Sequence, residues 1–230
     1  IYPDRLIALL AEDLLKDEDE VPEDVADDEH LRIIYDVKCS MNVEQAILNV
    51  GGRPVMARTG HSFMKRVLAS MPESKMAAEM SGHIFLADRG WYGFDCSLYN
   101  AARLIELWSR QAPVGDGGPS FSNELDRLAP SLPTTGEVKV PCEEDEKIRV
   151  VSAITEAFND MEASTVDGVR VRFNDDNGEY VGWYLARKSN TEPVLVMRME
   201  ALSESALQTM MDIVKERVGG IIDIKKLLTA

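Results

Sequence analysis

Apolar residues recur at helical spacing from Asp4 to Lys16, where Leu6, Ile7, Leu10, Leu14 and Leu15 share one face, so an amphipathic helix is expected there. Arg32 to Val37 is β-branched and aromatic instead, which predicts a strand that delivers Lys38 at its carboxyl end. Val43 to Val50 reads as a helix stopped by Gly51-Gly52, and Pro54 to Arg58 as a second strand. Thr59-Gly60-His61-Ser62 then leads into a helix running through Leu68. Strand, helix, strand, helix predicts a mainly parallel α/β sheet, whose ligands gather beyond the carboxyl ends of its strands. Lys38, Arg58 and His61 fall at those ends.

Two short apolar runs, Met76-Ala77-Ala78 and Ile84-Phe85-Leu86, read as strands around Glu79-Met80-Ser81-Gly82-His83. The glycine permits a sharp turn, and the carboxylate, hydroxyl and imidazole at it suit the neighbouring hydroxyls of a sugar. Taken alone, the pentapeptide reads rather as a turn whose polar groups satisfy their own backbone. Asp88-Arg89-Gly90-Trp91-Tyr92-Gly93-Phe94-Asp95 is a glycine-punctuated aromatic loop, with Asp95 suited to cap a helix that runs to about Arg110. Leu98, Ala102, Ile105 and Trp108 form the expected buried stripe of that helix.

Glycine and proline between Pro113 and Pro119, and three prolines between Pro130 and Pro141, place a domain boundary here, giving domains 1–129 and 130–230. Val114-Gly115-Asp116-Gly117-Gly118 lacks the lysine, the hydroxyl and the preceding strand of a phosphate loop. The second half predicts an α+β domain: helix from about Glu143 to Met161, strands at Gly168–Phe173, Tyr180–Ala186 and Val194–Met199, and helix from about Ser203 to Arg217. Leu207, Met210, Met211 and Val214 mark the sheet-covering face of the last helix. Beyond Gly219-Gly220, Ile221, Ile222, Leu227 and Leu228 form an apolar tail that packs back or meets a neighbour. Between the last two strands, Arg187-Lys188-Ser189-Asn190-Thr191-Glu192-Pro193 is too polar to continue a sheet. A planar guanidinium, two hydroxyls, an amide and converging backbone N–H groups suit a phosphate, although the loop alone reads also as a plain hairpin connection.

The net charge of −15 argues against nucleic-acid and anionic-membrane partners, and its distribution refines the point. Residues 1–130 hold 22 acids and 13 bases; nine of those acids lie in Asp17 to Glu29, which leaves 13 against 13 elsewhere. The run reads as a solvated loop without the glycine or ligand periodicity of a calcium site, and His30 beside it is incidental. Cys39, Cys96 and Cys142 lack both disulfide and metal spacing, so free buried cysteines and a cytoplasmic protein with no metal of its own are expected. Ile1 in place of a methionine suggests a piece of a longer polypeptide.

Asp36-Val37-Lys38, Thr59-Gly60-His61-Ser62, Glu79-Met80-Ser81-Gly82-His83 and Trp91-Tyr92-Gly93-Phe94-Asp95 resemble the α-D-phosphohexomutases in order and spacing. Asp167-Gly168-Val169-Arg170-Val171 and Arg187 to Pro193 resemble that family's phosphate-binding loop, and methionine at position 80 resembles its phosphomannomutase/phosphoglucomutase branch. The resemblance covers nearly the whole chain and matches the third and fourth of four domains. It implies an α/β sandwich domain with a mainly parallel sheet, followed by an α+β domain similar to TATA-box-binding folds. It implies an enzyme that interconverts hexose 1- and 6-phosphates of mannose or glucose through a bisphosphate. The phosphoserine and the aspartate-rich Mg²⁺ loop belong to the two amino-terminal domains, for which this sequence has no counterpart, so the fragment is expected to be inactive alone and to bind no Mg²⁺ itself. By resemblance, Glu79 and Ser81 hold sugar hydroxyls; Arg187, Ser189, Asn190 and Thr191 hold the non-reacting phosphate; Lys38, His61 and His83 line the reacting end, with either histidine the general acid or base. The acidic run is an insertion relative to the family pattern. A non-catalytic sugar-phosphate-binding module is the alternative, and DNA binding by the second domain is disfavoured by 18 acids against 12 bases from residue 131 onward.

Overall fold

The computed structural model describes residues 2–16, 32–111 and 116–229. The acidic run, His30, Ile1, and Val114 and Gly115 of the excluded phosphate loop lie outside the described residues. The chain forms two compact units, Ile1–Ser131 and Leu132–Ala230.

Unit 1 runs α1 (Pro3–Lys16), β1 (Arg32–Asp36), α2 (Met41–Asn49), β2 (Arg53–Ala57), α3 (His61–Ser70), β3 (Met76–Ala78), β4 (Ile84–Leu86), α4 (Ser97–Ser109) and α5 (Phe121–Leu128). The strands are ordered β2-β1-β3-β4, with β1 parallel to β2 and β3, and β4 antiparallel to β3. Alternation in the strands loads both faces. Ile33, Tyr35, Met76 and Leu86 pack with Ile7, Leu14, Val43, Ile47 and Leu107, whereas Ile34, Ala77 and Phe85 pack with Met64 and Leu68 of α3. Helices therefore cover the sheet on both sides, and its strand ends are left to carry polar groups.

The expected stripe of α4 is wrong. Leu98 is 82% exposed and Ile105 69%, Ala102 is exposed as well, while Arg103 and Leu107 are buried. A buried carboxylate decides the rotation: Arg103 Nε donates to Asp88 Oδ2 at 2.7 Å, and Asn100 Nδ2 donates to Ile84 O at 2.9 Å, so polar anchors turn this face inward. Asp95 does not cap the helix either; the residue preceding it is Cys96, which makes no side-chain cap bond and is only partly buried. Helix α5, unforeseen, starts at Ser120, whose hydroxyl accepts from Asn123 N at 3.1 Å.

Unit 2 runs β5 (Val138–Pro141), α6 (Lys147–Glu156), β6 (Ala163–Ser164), β7 (Val169–Asn174), β8 (Tyr180–Lys188), β9 (Val194–Ala201), α7 (Glu204–Val218) and α8 (Lys225–Leu228). Its sheet, ordered β5-β9-β8-β7-β6, is antiparallel throughout. Val171, Tyr184, Met197 and Met199 face Val150, Ile154 and Phe158 on one side of the chain order and Leu207, Met210 and Val214 on the other, in one core. The tail packs back into it through Ile224 and Leu227. Helix α6 is shorter than expected, because residues 143–146 form a turn before Lys147 and Ala157 begins a turn after Glu156. Among the described residues no helix is long and apolar enough to cross a membrane.

Candidate functional site

The carboxyl ends of β1, β2 and β3 carry the polar groups of unit 1. Asp36, the last residue of β1, is fully buried, and its carboxylate gathers the three ends. Oδ1 accepts from Lys38 N at 3.3 Å, Cys39 Sγ at 3.1 Å and Met80 N at 3.3 Å, while Oδ2 accepts from Thr59 Oγ1 at 3.0 Å. One buried carboxylate thus fixes Lys38, the Thr59–His61 turn and the 79–83 loop relative to one another. The Arg58 guanidinium lies over the Phe63 ring, 4.2 Å from its centre.

Residues 79–83 do satisfy their own backbone: Glu79 N donates to His83 O at 2.8 Å and Gly82 N to Glu79 O at 2.9 Å. Gly82 takes φ +96, a conformation that a side chain would strain. The same turn leaves Ser81 and His83 exposed and holds the Glu79 carboxyl inside, 2% exposed. Glu79 Oε2 accepts from Gly60 N at 2.9 Å, whereas Oε1 is buried with no hydrogen-bond partner among the described residues. Burial, above all, holds the Glu79 pKa above the ordinary carboxylate value; the Gly60 N–H opposes this, the Asp36 charge adds to it, and His83 and Lys38 oppose it.

His61 opens α3 and His83 precedes β4, yet the fold brings them together with Asp95. The two imidazoles stand perpendicular with ring centres 5.5 Å apart, and His61 packs edge-on to Phe85 at 4.9 Å. Asp95 arrives by a bridge to Phe85. Its Oδ2 lies 2.6 Å from His83 Nδ1 and 3.7 Å from His61 Nε2. A carboxylate only accepts, so His83 carries its proton on Nδ1 and presents Nε2 away from Asp95. The aromatic loop is fastened behind them: Trp91 stacks on Tyr99 at 4.4 Å, and the Tyr99 hydroxyl donates to Asp88 Oδ1 at 2.8 Å. Burial and this carboxylate push the Tyr99 pKa up to about 12.

His61, His83 and Asp95 offer ligand atoms within 4.8 Å of one another, a metal-ligating set that sequence spacing did not reveal. Two imidazoles with one carboxylate suit a transition metal, not Mg²⁺, which takes oxygen ligands, and the direct His83–Asp95 bond already uses two of the three atoms. The described residues therefore do not fit the Mg²⁺ that the resemblance implies.

In unit 2 the other four expected residues share one loop. Arg187, the last but one residue of β8, is buried, with Nε donating to Asp167 Oδ2 at 2.7 Å and Nη2 buried without a hydrogen-bond partner among the described residues. Gly168 makes that pairing possible: at φ +77, a Cβ there would lie 2.3 Å from Ala186 O and 2.7 Å from Arg187 Cα. Asn190 and Thr191 are exposed, and Ser189 is buried. The backbone differs from expectation. Ser189 Oγ accepts from Thr191 N at 3.3 Å and Glu192 N at 3.2 Å, and Ser189 N donates to Val194 O at 3.0 Å, so these N–H groups close the loop on itself and do not converge outward.

Comparison with known proteins gives the same two parts. The profile described as phosphoglucomutase/phosphomannomutase, alpha/beta/alpha domain III, matches residues 2–117, and that of the family's C-terminal domain matches residues 137–217. A phosphomannomutase/phosphoglucomutase of Pseudomonas putida is 36% identical over 221 residues, covering 95% of this chain and 42% of its own length. A phosphoglucomutase of Neisseria gonorrhoeae is 35% identical over 212 residues, covering 90% and 40%. The crystal structure of a phosphoglucomutase/phosphomannomutase family protein from Burkholderia thailandensis superposes with a TM-score of 0.75 at 36% identity, covering 96% of this chain and 42% of that one. This chain thus spans about two fifths of the length of the relatives it matches. It belongs to the phosphoglucomutase/phosphomannomutase family, of which it carries the α/β/α domain III and the C-terminal domain.

Proposed function

We propose that this chain is the substrate-holding part of a phosphomannomutase/phosphoglucomutase that interconverts hexose 1-phosphate and hexose 6-phosphate through a bisphosphorylated sugar. The curated relatives named above support the reaction class. The phosphoserine and the Mg²⁺ loop belong to domains outside this chain, which by itself turns over no substrate. Phosphoryl transfer depends on positioning and charge stabilisation, and these two units supply the former. Glu79 and Ser81 grip sugar hydroxyls; Arg187, Ser189, Asn190 and Thr191 grip the non-reacting phosphate; Lys38 offsets charge at the reacting end. Of the two histidines, His83 moves the proton, through Nε2, because Asp95 fixes its tautomer from behind.

The observation that carries this reading is that at both motifs a buried polar atom has no hydrogen-bond partner among the described residues: Glu79 Oε1, an acceptor, and Arg187 Nη2, a donor. Such atoms cost free energy unless something satisfies them, and a sugar hydroxyl and a phosphate oxygen are complementary to them. Calorimetric titration with glucose 1-phosphate and mannose 1-phosphate tests it. Saturable binding with Kd on the order of millimolar is expected, lost in Arg187→Ala. Equal binding by wild type and variant would refute the assignment of the clamp, and turnover by the purified chain would refute the division of labour.

A further inference from the structure

Three side chains able to ligate a metal meet at one edge of unit 1, and the backbone brings each of them there. Asp95 is bridged to Phe85, and His83 stands two residues before Phe85 with its carbonyl closing the 79–83 turn. His61, the first residue of α3, packs edge-on to the Phe85 ring at 4.9 Å. Phe85 is fully buried, so a single core residue is the common reference for all three. A constellation seated on fixed elements in this way needs only small side-chain movements to close on one point.

The distances show what those movements must be. With metal–ligand bonds of about 2.0–2.1 Å, the ligand atoms of a tetrahedral zinc site stand about 3.3 Å apart. Asp95 Oδ2 lies 3.7 Å from His61 Nε2, close to that spacing, and 2.6 Å from His83 Nδ1, which is a hydrogen-bond length and too short to straddle an ion. Metal and Nδ1 proton therefore exclude one another: the ion enters as the proton leaves and the pair opens by about 0.7 Å. The His61 and His83 side chains are 47% and 48% exposed and that of Asp95 26%, so this opening disturbs no core packing and leaves water to complete the coordination.

We propose that His61, His83 and Asp95 form a binding site for a divalent transition metal, Zn²⁺ foremost, in which the ion takes the place of the His83 Nδ1 proton. Imidazole nitrogens favour such an ion over Mg²⁺ and Ca²⁺, which take oxygen ligands. The ring stays neutral on binding: the Nδ1 proton passes to solvent and Nε2 takes one up, with no net release. Nε2 then donates where it accepted before. An ion here takes away the acceptor through which His83 moves a proton, and so inhibits transfer; that consequence rests on the mutase reading, whereas the site does not.

The test is calorimetric titration of the chain with Zn²⁺ in a non-chelating buffer, with nitrogen-15 NMR of the imidazoles alongside. One ion per chain is expected to bind with Kd on the order of micromolar. His61→Ala and His83→Ala are each expected to weaken it about 100-fold, since even an outer partner of a metal site is worth 10- to 100-fold. His30 adjoins the acidic run and Cys96 follows Asp95, so His30→Ala and Cys96→Ser test capture of zinc elsewhere, and neither is expected to change the affinity. In the wild type the His83 proton is expected to move from Nδ1 to Nε2 as zinc saturates, and Mg²⁺ in large excess to cause neither effect. No saturable binding, undiminished binding in either histidine variant, or binding lost in His30→Ala or Cys96→Ser, which would reveal an adventitious ion only, would each overturn the proposal. Should a histidine variant not fold, the wild-type ring decides: a proton that stays on Nδ1 at saturating zinc overturns it. Absence of sugar-phosphate binding would instead remove the mutase reading and leave the metal site standing.

Discussion

Unit 1 gathers its polar groups from three strand ends and two loops far apart in sequence, from Asp36 to Asp95, whereas those of unit 2 follow one another in a single hairpin loop. The contrast follows from sheet type. A parallel sheet returns each strand through a helix, so β1, β2 and β3 all deliver their next residues to the same edge. An antiparallel hairpin presents consecutive residues and must shape them within one turn. Their supports differ accordingly. In unit 1 one buried carboxylate, Asp36, ties the segments together through neutral and backbone donors. In unit 2 two buried ions, Asp167 and Lys147, brace one loop from its flank and from behind. A site spread over many segments depends weakly on each; one braced by buried charge depends strongly on a single pair.

The largest effect expected from that difference is at Asp167. Its pair with Arg187 is buried on both sides, so Asp167→Ala leaves a guanidinium without its counter-charge and is expected to cost about 3–5 kcal/mol in urea unfolding. The double variant Asp167→Ala with Arg187→Met restores much of that loss while abolishing phosphate binding, since no ion remains to be compensated. A cost below about 1 kcal/mol for the single variant would show that the pair is not what braces the loop.

Next in size is Asp95→Asn. An amide can offer its own N–H to His83 Nδ1 and so permit the opposite tautomer, with the proton on Nε2. Nitrogen-15 NMR of the imidazole should show Nδ1–H in the wild-type chain and a mixture in the variant. In a full-length phosphomutase carrying this half, as proposed above, kcat is expected to fall about 10- to 100-fold, the range seen for carboxylates that orient metal-ligating imidazoles, with KM altered less. An unchanged tautomer would mean that Asp95 does not orient the ring.

Much of this architecture is legible in the sequence where one local rule suffices. The change from β-branched runs to helical spacing between Arg32 and Leu68 marks the strands and helices that place Lys38 and His61 at one edge, and Gly82 marks the turn that exposes Ser81 and His83. The rest depends on partners that sequence does not name. The orientation of α4 is set by Arg103 reaching Asp88, which hydrophobic periodicity counts as a polar position and turns outward. Asp95 suits a helix cap at its position, yet a bridge to Phe85 brings it to His83. Strand β5 hides in a proline-rich stretch, tolerated because it lies at the sheet edge. Helix α5 did leave a trace, a capping serine at Ser120, but between glycine- and proline-rich segments it was too short to stand out. Nothing in the sequence separates Lys147 from an exposed lysine on a helix's first turn.

The smallest effect, and the one that shows most directly how unit 1 supports a charge, is expected for Glu79→Gln. Folding raises the pKa of this carboxyl, chiefly by burial, so the folded chain binds its proton more tightly than the unfolded chain does. Below about pH 4 the group is protonated in both states and makes no difference. As pH rises through the folded pKa the native state must hold an ionised, half-satisfied carboxylate, and this contribution to stability is lost. Glutamine does not titrate, and its carbonyl can still accept from Gly60 N. The melting temperature of Glu79→Gln should therefore match wild type near about pH 4 and exceed it increasingly towards about pH 8. Sugar-phosphate affinity should move the opposite way, falling by about 1 kcal/mol, roughly fivefold, because the amide NH₂, a donor, then stands where the charged acceptor Oε1 stood. A variant that melts below wild type at the higher pH would mean that the Glu79 charge is compensated within unit 1, leaving it no reason to seek a sugar hydroxyl; higher stability together with weaker binding would mean that the unit keeps a destabilising carboxylate for its ligand.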